Sequence, residues 1–377
     1  MEKKQVCVMF GGVSAEHEVS VISGLQVLEN IDKDKYQPFA VYHTKNGHFS
    51  YYPGLIKRKD FKKIKPVSVQ FGKDTRGTFF VTEGLLPQKQ YLDCVYLAFH
   101  GGNGESGPIQ GFLEVLGVPF TSSTLEASVI TMNKSLTHQV LRENGLPVVK
   151  SISLLSREII ADSQKLAEKI IETLGLPVIV KPVHLGSSIG ISIVRSSVEL
   201  EKKLLEAAYI DTEILVEELL TDFTEYNCSV RSIDGKVETS EIERPISHDE
   251  ILSFADKYQR GGNKKGGSGM ASLQRELPAK MSEELQTRLE ETAKKVFIAC
   301  RCKGMVRIDF MVKKDGQVFV TEINPIPGSM SFYLWEASGI TFSQQITDLI
   351  EQGIKDYEVL KSKKIDYETD IVEKFVA

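Results

Sequence analysis

The chain alternates between short, uninterrupted apolar runs and longer stretches in which apolar residues recur every three or four positions. The first pattern marks a strand buried on both faces and the second an amphipathic helix. Residues 6–10 are such a run, broken by Gly11-Gly12, and Val19, Ile22, Leu25, Val27 and Leu28 give a helix from about Ala15 its apolar side, with Ser14 as cap. Strand, glycine turn and helix predict a βαβ opening whose helix N-terminus suits an anion or a carboxylate. Strands follow at 38–42, 67–71, 78–82 and 92–99, then a helix over 108–116 and a strand at 118–121. Further on, the pattern predicts one helix from Leu125 to Asn144-Gly145 and another over 155–175. Strands are expected at 178–180, up to Val194, and from 213 into a connector ending at 220, with a helix over 198–208 between them. Strands at 228–233 and 237–242, a strong amphipathic helix over 282–300 and a last helix over 341–354 complete the expectation.

The most informative stretch is MVRIDFMVKKDGQVFVTEINPIPGS, residues 305–329. Two alternating runs flank Asp315-Gly316, and a two-residue Asp-Gly loop is a strong hairpin signal. With those two residues as the loop, Lys314 faces Gln317, Asp309 faces Glu322 and Arg307 faces Asn324. Side chains two apart share a face, so these four form one polar cluster at the open end. Opposed carboxylates destabilise a sheet and call for a cation between them. Two carboxylates and an amide oxygen are hard ligands of the kind Mg²⁺ takes, with water and phosphate in its other positions.

Other candidates sit at strand ends. Glu16, in the first helical turn, either stabilises the helix dipole or faces the crevice and receives an ammonium. His100 opens the glycine-rich turn HGGNGESG at a strand C-terminus, the position where open α/β sheets bind ligands; it is either a structural or a functional histidine. Lys134 rides on an otherwise ordinary helix. The strand at 178–180 delivers Lys181 to the mouth of Leu185-Gly-Ser-Ser-Ile-Gly190, where backbone N–H groups can wrap phosphates; no GxxxxGK[ST] pattern is present. Glu217 and Glu218, beside Leu219 and Leu220, are either surface charges or the lining of a nucleobase slot with Glu225 beyond it. Residues 256–269 hold five glycines and four basic residues from Lys257 onward, too many to pack as a core element. They are either a disordered insertion or a lid that carries Lys257 and Tyr258 onto a site and excludes water.

At 377 residues the chain has room for two or three domains. The net charge of −5 argues against a nucleic-acid or anionic-membrane partner. No apolar run reaches the roughly 18 residues of a membrane span, and nothing resembles a signal peptide. Five scattered cysteines without metal-ligand spacing read as reduced, mostly buried thiols of a cytoplasmic protein.

Taken together, Gly11-Gly-Val-Ser-Ala-Glu-His-Glu-Val-Ser20, His100-Gly through Gln110-Gly111, Val180-Lys-Pro with Gly186-Ser-Ser-Ile-Gly190, Lys257-Tyr258, Arg307-Ile-Asp309, and Glu322-Ile-Asn324 with Pro327-Gly328 resemble the D-alanine–D-alanine ligase family of the ATP-grasp superfamily. The resemblance covers nearly the whole chain, and the first two motifs are specific for the D-alanine branch. It implies an α/β protein with an open parallel-sheet, Rossmann-like N-terminal domain (1–123) that binds substrate. A two-part ATP-grasp fold with mixed and antiparallel sheets follows: a central subdomain (124–220) and a C-terminal domain with lid and hairpin (221–377). The implied reaction joins two D-alanines through an acyl phosphate for peptidoglycan synthesis, using ATP and two Mg²⁺ or Mn²⁺, in a cytoplasmic homodimer.

The resemblance also implies roles. Glu16 would bind the first substrate's ammonium, in a network with Ser187 and Tyr258. Lys134, Lys181, Lys257 and the Ser187-Ser188 backbone would hold phosphates. Glu217, with Glu218, Leu219 and Leu220, would take adenine, and Glu225 the ribose. Asp309, Glu322 and Asn324 would hold metal, and Arg307 with the Gly328 N–H would stabilise the oxyanion of the tetrahedral intermediate. His100 would support the second-substrate pocket. The sequence departs from the family pattern at Tyr333, aligned with a serine that contacts the acceptor carboxylate, at Ser106 in place of a common acidic residue, and in a longer, glycine- and lysine-rich lid. These departures bear on the acceptor, so a ligase with another acceptor such as D-serine is the alternative. A nucleotide-binding module without turnover and a Rossmann dehydrogenase fit less well, the first because Arg307, the carboxylates and the lysines are retained, the second because GxGxxG is missing.

Overall fold

A computed structural model describes residues 3–186, 188–246, 274–363 and 369–376. The apolar run at 6–10 lies at the centre of its first sheet. β1 (Lys4–Gly11), α1 (His17–Asn30) and β2 (Tyr36–His43) form the expected βαβ opening, with β1 and β2 parallel. β3 (Phe49–Tyr52), β4 (Val67–Asp74), β5 (Gly77–Thr82) and β6 (Lys89–Tyr91) extend it as an antiparallel wing. β7 (Cys94–Leu97) then returns beside β1, parallel to it. β1 and β7 are covered on both faces and therefore read as continuous apolar runs. β5 instead alternates between buried and half-buried positions, as a one-sided antiparallel strand does. Residues 118–121 make only a parallel bridge from Phe120 to Val95 rather than a full strand. α2 (Pro108–Leu116) has the predicted bounds. Ser14 does not cap α1 in the expected way: its hydroxyl accepts from the N–H of Glu16, and Glu16 is the cap residue.

Two predicted helices are each divided by a capping side chain. α3 (Leu125–Met132) and α4 (Lys134–Glu143) part at Asn133, whose carboxamide oxygen accepts from the Leu136 N–H at 2.8 Å. Lys134 therefore begins a helix instead of sitting within one. The segment from 155 is the end of β8 (Ser151–Leu155) followed by α5 (Ser156–Ala161) and α6 (Ser163–Leu174), and Asp162 caps the second helix. Short polar side chains compete for backbone bonds and so favour such junctions over helix interiors. With β9 (Val178–Pro182), β10 (Ser192–Val194), α7 (Ser197–Ala208) and β11 (Glu213–Glu218), this region makes an antiparallel sheet of order β10-β9-β11-β8. It has a core of its own around Ile170, Val180, Leu204 and Val216.

The third sheet contains β12 (Phe223–Ile233), β13 (Lys236–Pro245) and β14 (Arg275–Glu276), then, after α8 (Glu283–Ala299), β15 (Met305–Lys313) and β16 (Val318–Asn324). Their order is β14-β13-β12-β15-β16. α9 (Phe332–Ala337), α10 (Phe342–Lys361) and α11 (Ile371–Val376) follow. Met305, Ile326 and Trp335, together with Phe342, Ile346 and Ile350 of α10, join the same core as β1 and β7. α10 thus ties the third sheet to the first. All five cysteines are buried and none is in a disulfide; burial raises their pKa values. Among the described residues, no helix is long and apolar enough to cross a membrane.

The hairpin corrects one expectation while keeping its consequence. Its loop is not the two residues Asp315-Gly316. The Lys313 N–H binds the Gln317 carbonyl, and Gly316 closes a three-residue loop with φ +84°. Val312 therefore pairs with Val318 and Phe310 with Val320, one residue away from the predicted register. A bulge then inserts Thr321, after which Asp309 pairs with Glu322 and Arg307 with Asn324, as expected. One extra residue reverses the face of everything beyond it. Val318 and Val320 point into the core, and without the bulge Glu322 would follow them; with it, Ile323 takes the core position. The Thr321 hydroxyl donates to the Asp309 carbonyl at 3.0 Å, holding the bulge.

Candidate active site

All three sheets contribute to one cavity above the hairpin. The first supplies Glu16, His100 and Glu105, and the second Lys134, Lys181, Gly186 and Ser188. The third supplies Arg307, Asp309, Glu322, Asn324 and Gly328, with Asn227, Glu243 and Arg275 on the far wall. An adjoining slot is lined by Lys181, Glu217, Glu218, Leu219, Leu220 and Glu225, between apolar walls that include Ile179 and Met311. Lys181 and Glu225 border both spaces. Of the residues singled out in the sequence, Tyr333 lies behind the far wall, bonded to Glu243. Ser187, Lys257, Tyr258 and the whole expected lid over 256–269 lie outside the described residues.

Glycines let Glu16 reach the crevice. Gly101 has φ +65°, and a Cβ there would stand 2.4 Å from the Ser14 Oγ and 2.7 Å from the Glu16 Oε2. A Cβ on Gly186 would stand 3.6 Å from the same oxygen. The Glu16 carboxylate is therefore seated between the two glycine-rich turns, where an ammonium can meet it. Ser188 holds the second turn in a left-handed conformation, with φ +61°. That turn starts from an anchored residue: both the backbone N–H and the ring Nδ1 of His184 bind the Asp211 carboxylate.

Beside Glu16, His100 and Glu105 grip the peptide groups of one residue from opposite sides. His100 Nδ1 lies 3.2 Å from the Ile326 carbonyl, which can only accept, so Nδ1 carries the proton. Its Nε2 then accepts from the Ser23 hydroxyl at 2.7 Å. Glu105 accepts from the Ile326 N–H at 3.3 Å and from the Gly101 N–H at 2.7 Å. Burial lowers the His100 pKa to about 4 and keeps the ring neutral. Burial, reinforced by the charge of Glu16, pushes the Glu105 carboxyl up to about 8. Glu105 lies inside the glycine-rich turn at 100–107, where the glycines carry the sequence signal and an acidic side chain has none of its own; its role comes from contacts with Gly101 and the distant Ile326.

The lysines are held by groups of the protein itself. Lys134 Nζ donates to the Leu185 carbonyl at 2.6 Å and to that of Val183 at 3.4 Å, beneath the glycine–serine turn. Burial lowers its pKa, with Glu322 opposing. Lys181 Nζ donates to Glu217 Oε2 at 2.5 Å, and His138 Nε2 lies 3.2 Å from the other Glu217 oxygen. Burial alone would raise the Glu217 pKa, but Lys181 and His138 outweigh it and hold the carboxyl at about 2. Glu217 is thus a buried carboxylate organising the slot, not a surface charge. His138, one helical turn beyond Lys134, carried no signal in the sequence.

At the hairpin, Arg307 makes a two-pronged pair with Asp309, Nε to Oδ1 at 2.7 Å and Nη2 to Oδ2 at 2.8 Å. Burial disfavours the guanidinium charge, but Asp309 outweighs it and keeps Arg307 protonated. Asn324 Nδ2 donates to Asp309 Oδ2 at 3.3 Å. The donor set fits a hard divalent cation: two carboxylates directly across the ladder and one carboxamide oxygen, all facing the cavity. Among the described residues no cluster of three or more His, Cys, Asp or Glu is placed to hold a metal ion by itself.

Gly328 borders the cavity and is followed by three consecutive left-handed residues, Ser329 (φ +52°), Met330 (φ +52°) and Ser331 (φ +44°), all buried. Each such non-glycine residue costs on the order of 1 kcal/mol. The Met330 N–H binds the Pro327 carbonyl and Gln345 donates to the Met330 carbonyl at 2.7 Å, which fixes the backbone behind Gly328.

A parallel-centred substrate sheet, an antiparallel sheet delivering lysines beneath a glycine–serine turn, and a third sheet with an acidic hairpin define an ATP-grasp type of ligase fold. Comparison with known proteins narrows this. Residues 5–123 match the model of the D-ala D-ala ligase N-terminus and residues 140–351 that of its C-terminus, so the chain belongs to the D-alanine–D-alanine ligase family. A D-alanine–D-alanine ligase of Thermosipho africanus is 35% identical over 371 residues, covering 97% of each chain. Among solved structures, the D-alanine–D-alanine ligase from Coxiella burnetii superposes with a TM-score of 0.79 at 26% identity, covering 96% of this chain and 97% of that one. A D-Ala:D-Ser ligase from Enterococcus faecalis gives 0.78 at 26% identity, covering 93% and 100%.

Proposed function

We propose that the protein is an ATP-dependent ligase that joins two D-alanines to supply the dipeptide for peptidoglycan, with the product balance ATP + 2 D-Ala → D-Ala-D-Ala + ADP + phosphate. The observation that carries this is the convergence of Glu16, the two lysines and the hairpin on one cavity that opens into an apolar-walled slot. Family membership supplies the substrate pair.

In this reading the nucleobase lies between Ile179 and Met311, the Leu219-Leu220 backbone and Glu217–Glu218 border it, and Glu225 meets the ribose. Lys134, Lys181, Lys257 and the Ser187-Ser188 backbone hold the phosphates. The γ-phosphoryl group passes to a carboxylate oxygen of the first D-alanine, whose ammonium Glu16 orients with Ser187 and Tyr258. The neutral amine of the second D-alanine attacks the acyl carbon, phosphate leaves with the C–O bond, and the amine's surplus proton is released. Negative charge on the tetrahedral oxygen falls to Arg307 and the Gly328 N–H, preformed donors of the kind that dominate such steps. His100 stays neutral and steadies the second-substrate side through Ile326. Asp309, Glu322 and Asn324 would hold Mg²⁺ or Mn²⁺, two ions by family likeness, which would neutralise the phosphate oxygens during transfer. The lid over 256–269, the domains 1–123, 124–220 and 221–377, the cytoplasmic location and a homodimer belong to the same proposal.

Purified protein incubated with ATP, Mg²⁺ and D-alanine, with products identified by mass, tests this. Dipeptide formed in step with ADP and phosphate is expected. Dipeptide only when D-serine or another acceptor is added would overturn the D-alanine acceptor, and nucleotide binding without turnover would overturn the ligase. Light scattering checks the dimer.

A further inference from the structure

We propose that His184, whose ring bridges Asp211 and Asn133, is a positioning residue that locks the glycine–serine turn to the start of the Lys134 helix. This rests on the reading above, in which that turn and Lys134 hold the phosphates of ATP. Leu185, Gly186 and Lys134 border the cavity, and His184 acts on them from outside it.

Each orientation in the link is fixed by a group that can play only one part. A carboxylate only accepts, so His184 donates to Asp211 twice, from Nδ1 at 2.7 Å and from its backbone N–H at 2.8 Å. Asp211 is itself held where β11 begins, accepting from the Thr212 N–H at 2.6 Å. On the other side, the Asn133 carboxamide oxygen is taken by the Leu136 N–H at the start of α4. The group that faces His184 Nε2 at 3.2 Å is therefore the Asn133 Nδ2 donor. Nε2 must accept, and the link exists only while the ring is neutral. Lys134, the next residue after Asn133, reaches back across this link. Its Nζ donates to the carbonyls of Val183 and Leu185, the two residues that flank His184. The helix start and the turn are thus tied by bonds running in both directions.

Opposing pulls act on the ring from the elements around it. The hydrogen bond to Asp211 raises the His184 pKa from 6.5, burial opposes it, Glu213 on β11 adds to the rise and Lys134 on α4 lowers it. A proton taken up on acidification puts an N–H on Nε2 against the Asn133 amide donors, and that bond is lost. The turn is then released from the start of α4, and the grip on phosphate weakens as pH falls.

The test is calorimetric titration of the full-length protein with ATP and Mg²⁺, at about pH 8.5 and about pH 6, on either side of the ring's titration. At the higher pH, His184→Asn keeps a donor for Asp211 but has nothing in place of Nε2. It should raise the ATP Kd about 3- to 10-fold, the worth of one neutral hydrogen bond. His184→Gln puts an amide oxygen within reach of Asn133 and does not titrate, and it should return the Kd to within about twofold of the unsubstituted value. Acidification should weaken ATP binding by the unsubstituted protein about 3- to 10-fold more than by His184→Gln, a comparison that cancels the titration of ATP itself. In Asn133→Asp one carboxylate oxygen still caps α4 and the other accepts from the protonated ring, so the pH dependence should reverse. A purely structural role for His184 would lower stability without that reversal. A folded His184→Asn protein with an unchanged ATP Kd overturns the proposal, as does a pH dependence that His184→Gln shares in full. If His184→Asn fails to fold, the Asn133→Asp profile decides alone, and a profile that does not reverse overturns the proposal. Absence of ATP binding by the unsubstituted protein at both pH values would instead be a failure of the ligase reading.

Discussion

Asp309 and Glu322 stand directly across from each other on β15 and β16, and they do so only because Thr321 is bulged out of the ladder between them and the turn. The pairing near the loop would have sent Glu322 to the core face with Val320. The bulge brings both carboxylates to the cavity face with Asn324, while Arg307 neutralises Asp309 from two positions away.

Removing either carboxylate should therefore weaken binding of the divalent cation; loss of the Asp309 charge should also lower stability, because it leaves the buried Arg307 guanidinium uncompensated. Asp309→Asn and Glu322→Gln are each expected to raise the Mg²⁺ concentration for half-maximal phosphate release about 10- to 100-fold. Chelation should abolish turnover in the unsubstituted protein and added Mg²⁺ or Mn²⁺ restore it. Turnover that persists in excess chelator would contradict the assignment.

Thr321→Val keeps the shape of the bulged residue and removes its bond to the Asp309 carbonyl. The expected loss is about 1 kcal/mol of stability, the worth of one such hydrogen bond, read from urea unfolding. A poorer Mg²⁺ response should accompany it, because the bulge sets where Glu322 points. Full stability with an unaltered metal response would show that the bulge holds without the hydroxyl.

The clamp on Ile326 gives a pH signature. His100 has its pKa lowered from 6.5 to about 4, and Glu105 has its own raised from 4.5 to about 8. Between pH 4.5 and 6.5 the folded state keeps a proton on Glu105 and the unfolded state keeps one on His100, so their contributions to the slope cancel. From 6.5 to 8 only the folded state holds the extra proton, and stability falls as pH rises, by about 2 kcal/mol in all. Below 4.5 the unfolded state takes up a second proton and stability falls again. Urea unfolding at pH 6, 7 and 8 reads the alkaline limb, and Glu105→Gln should flatten it.

Glu217 has the opposite sign. Lys181 and His138 hold its carboxyl at about 2 against the 4.5 of an unfolded chain, so its contribution is complete above pH 4.5 and is lost as pH falls toward 2. Glu217→Gln removes the charge facing Lys181 and should lower stability at pH 7 by about 3 kcal/mol. It should also raise the ATP KM about 10-fold, since Glu217 borders the slot. A variant with normal stability and a normal KM would remove Glu217 from both roles.

Local chemistry made much of this protein legible in its sequence. Apolar runs at 6–10 and 92–99 had to be covered strands, glycine turns at 11–12, 100–107 and 186–190 had to sit at strand ends, and the alternating runs around Asp315-Gly316 had to pair. Those features lie within a few residues of one another, so spacing alone fixes them. Tertiary structure decided what depends on contacts between distant segments. The register at Asp309 came out as expected although the loop was longer, because a bulge compensated, and alternation around a bulge has no local mark. Asn133 and Asp162 broke helices that the apolar period carried straight through, since capping competes with periodicity one side chain at a time. The pairing of Glu217 with His138, of Glu105 with Ile326, and of Glu243 with Arg275 and Tyr333 joins residues from 32 to 221 positions apart. A charged residue in a strand or turn looks alike in sequence whether it faces water or a buried partner, and only the packed sheets bring the partners within hydrogen-bond reach.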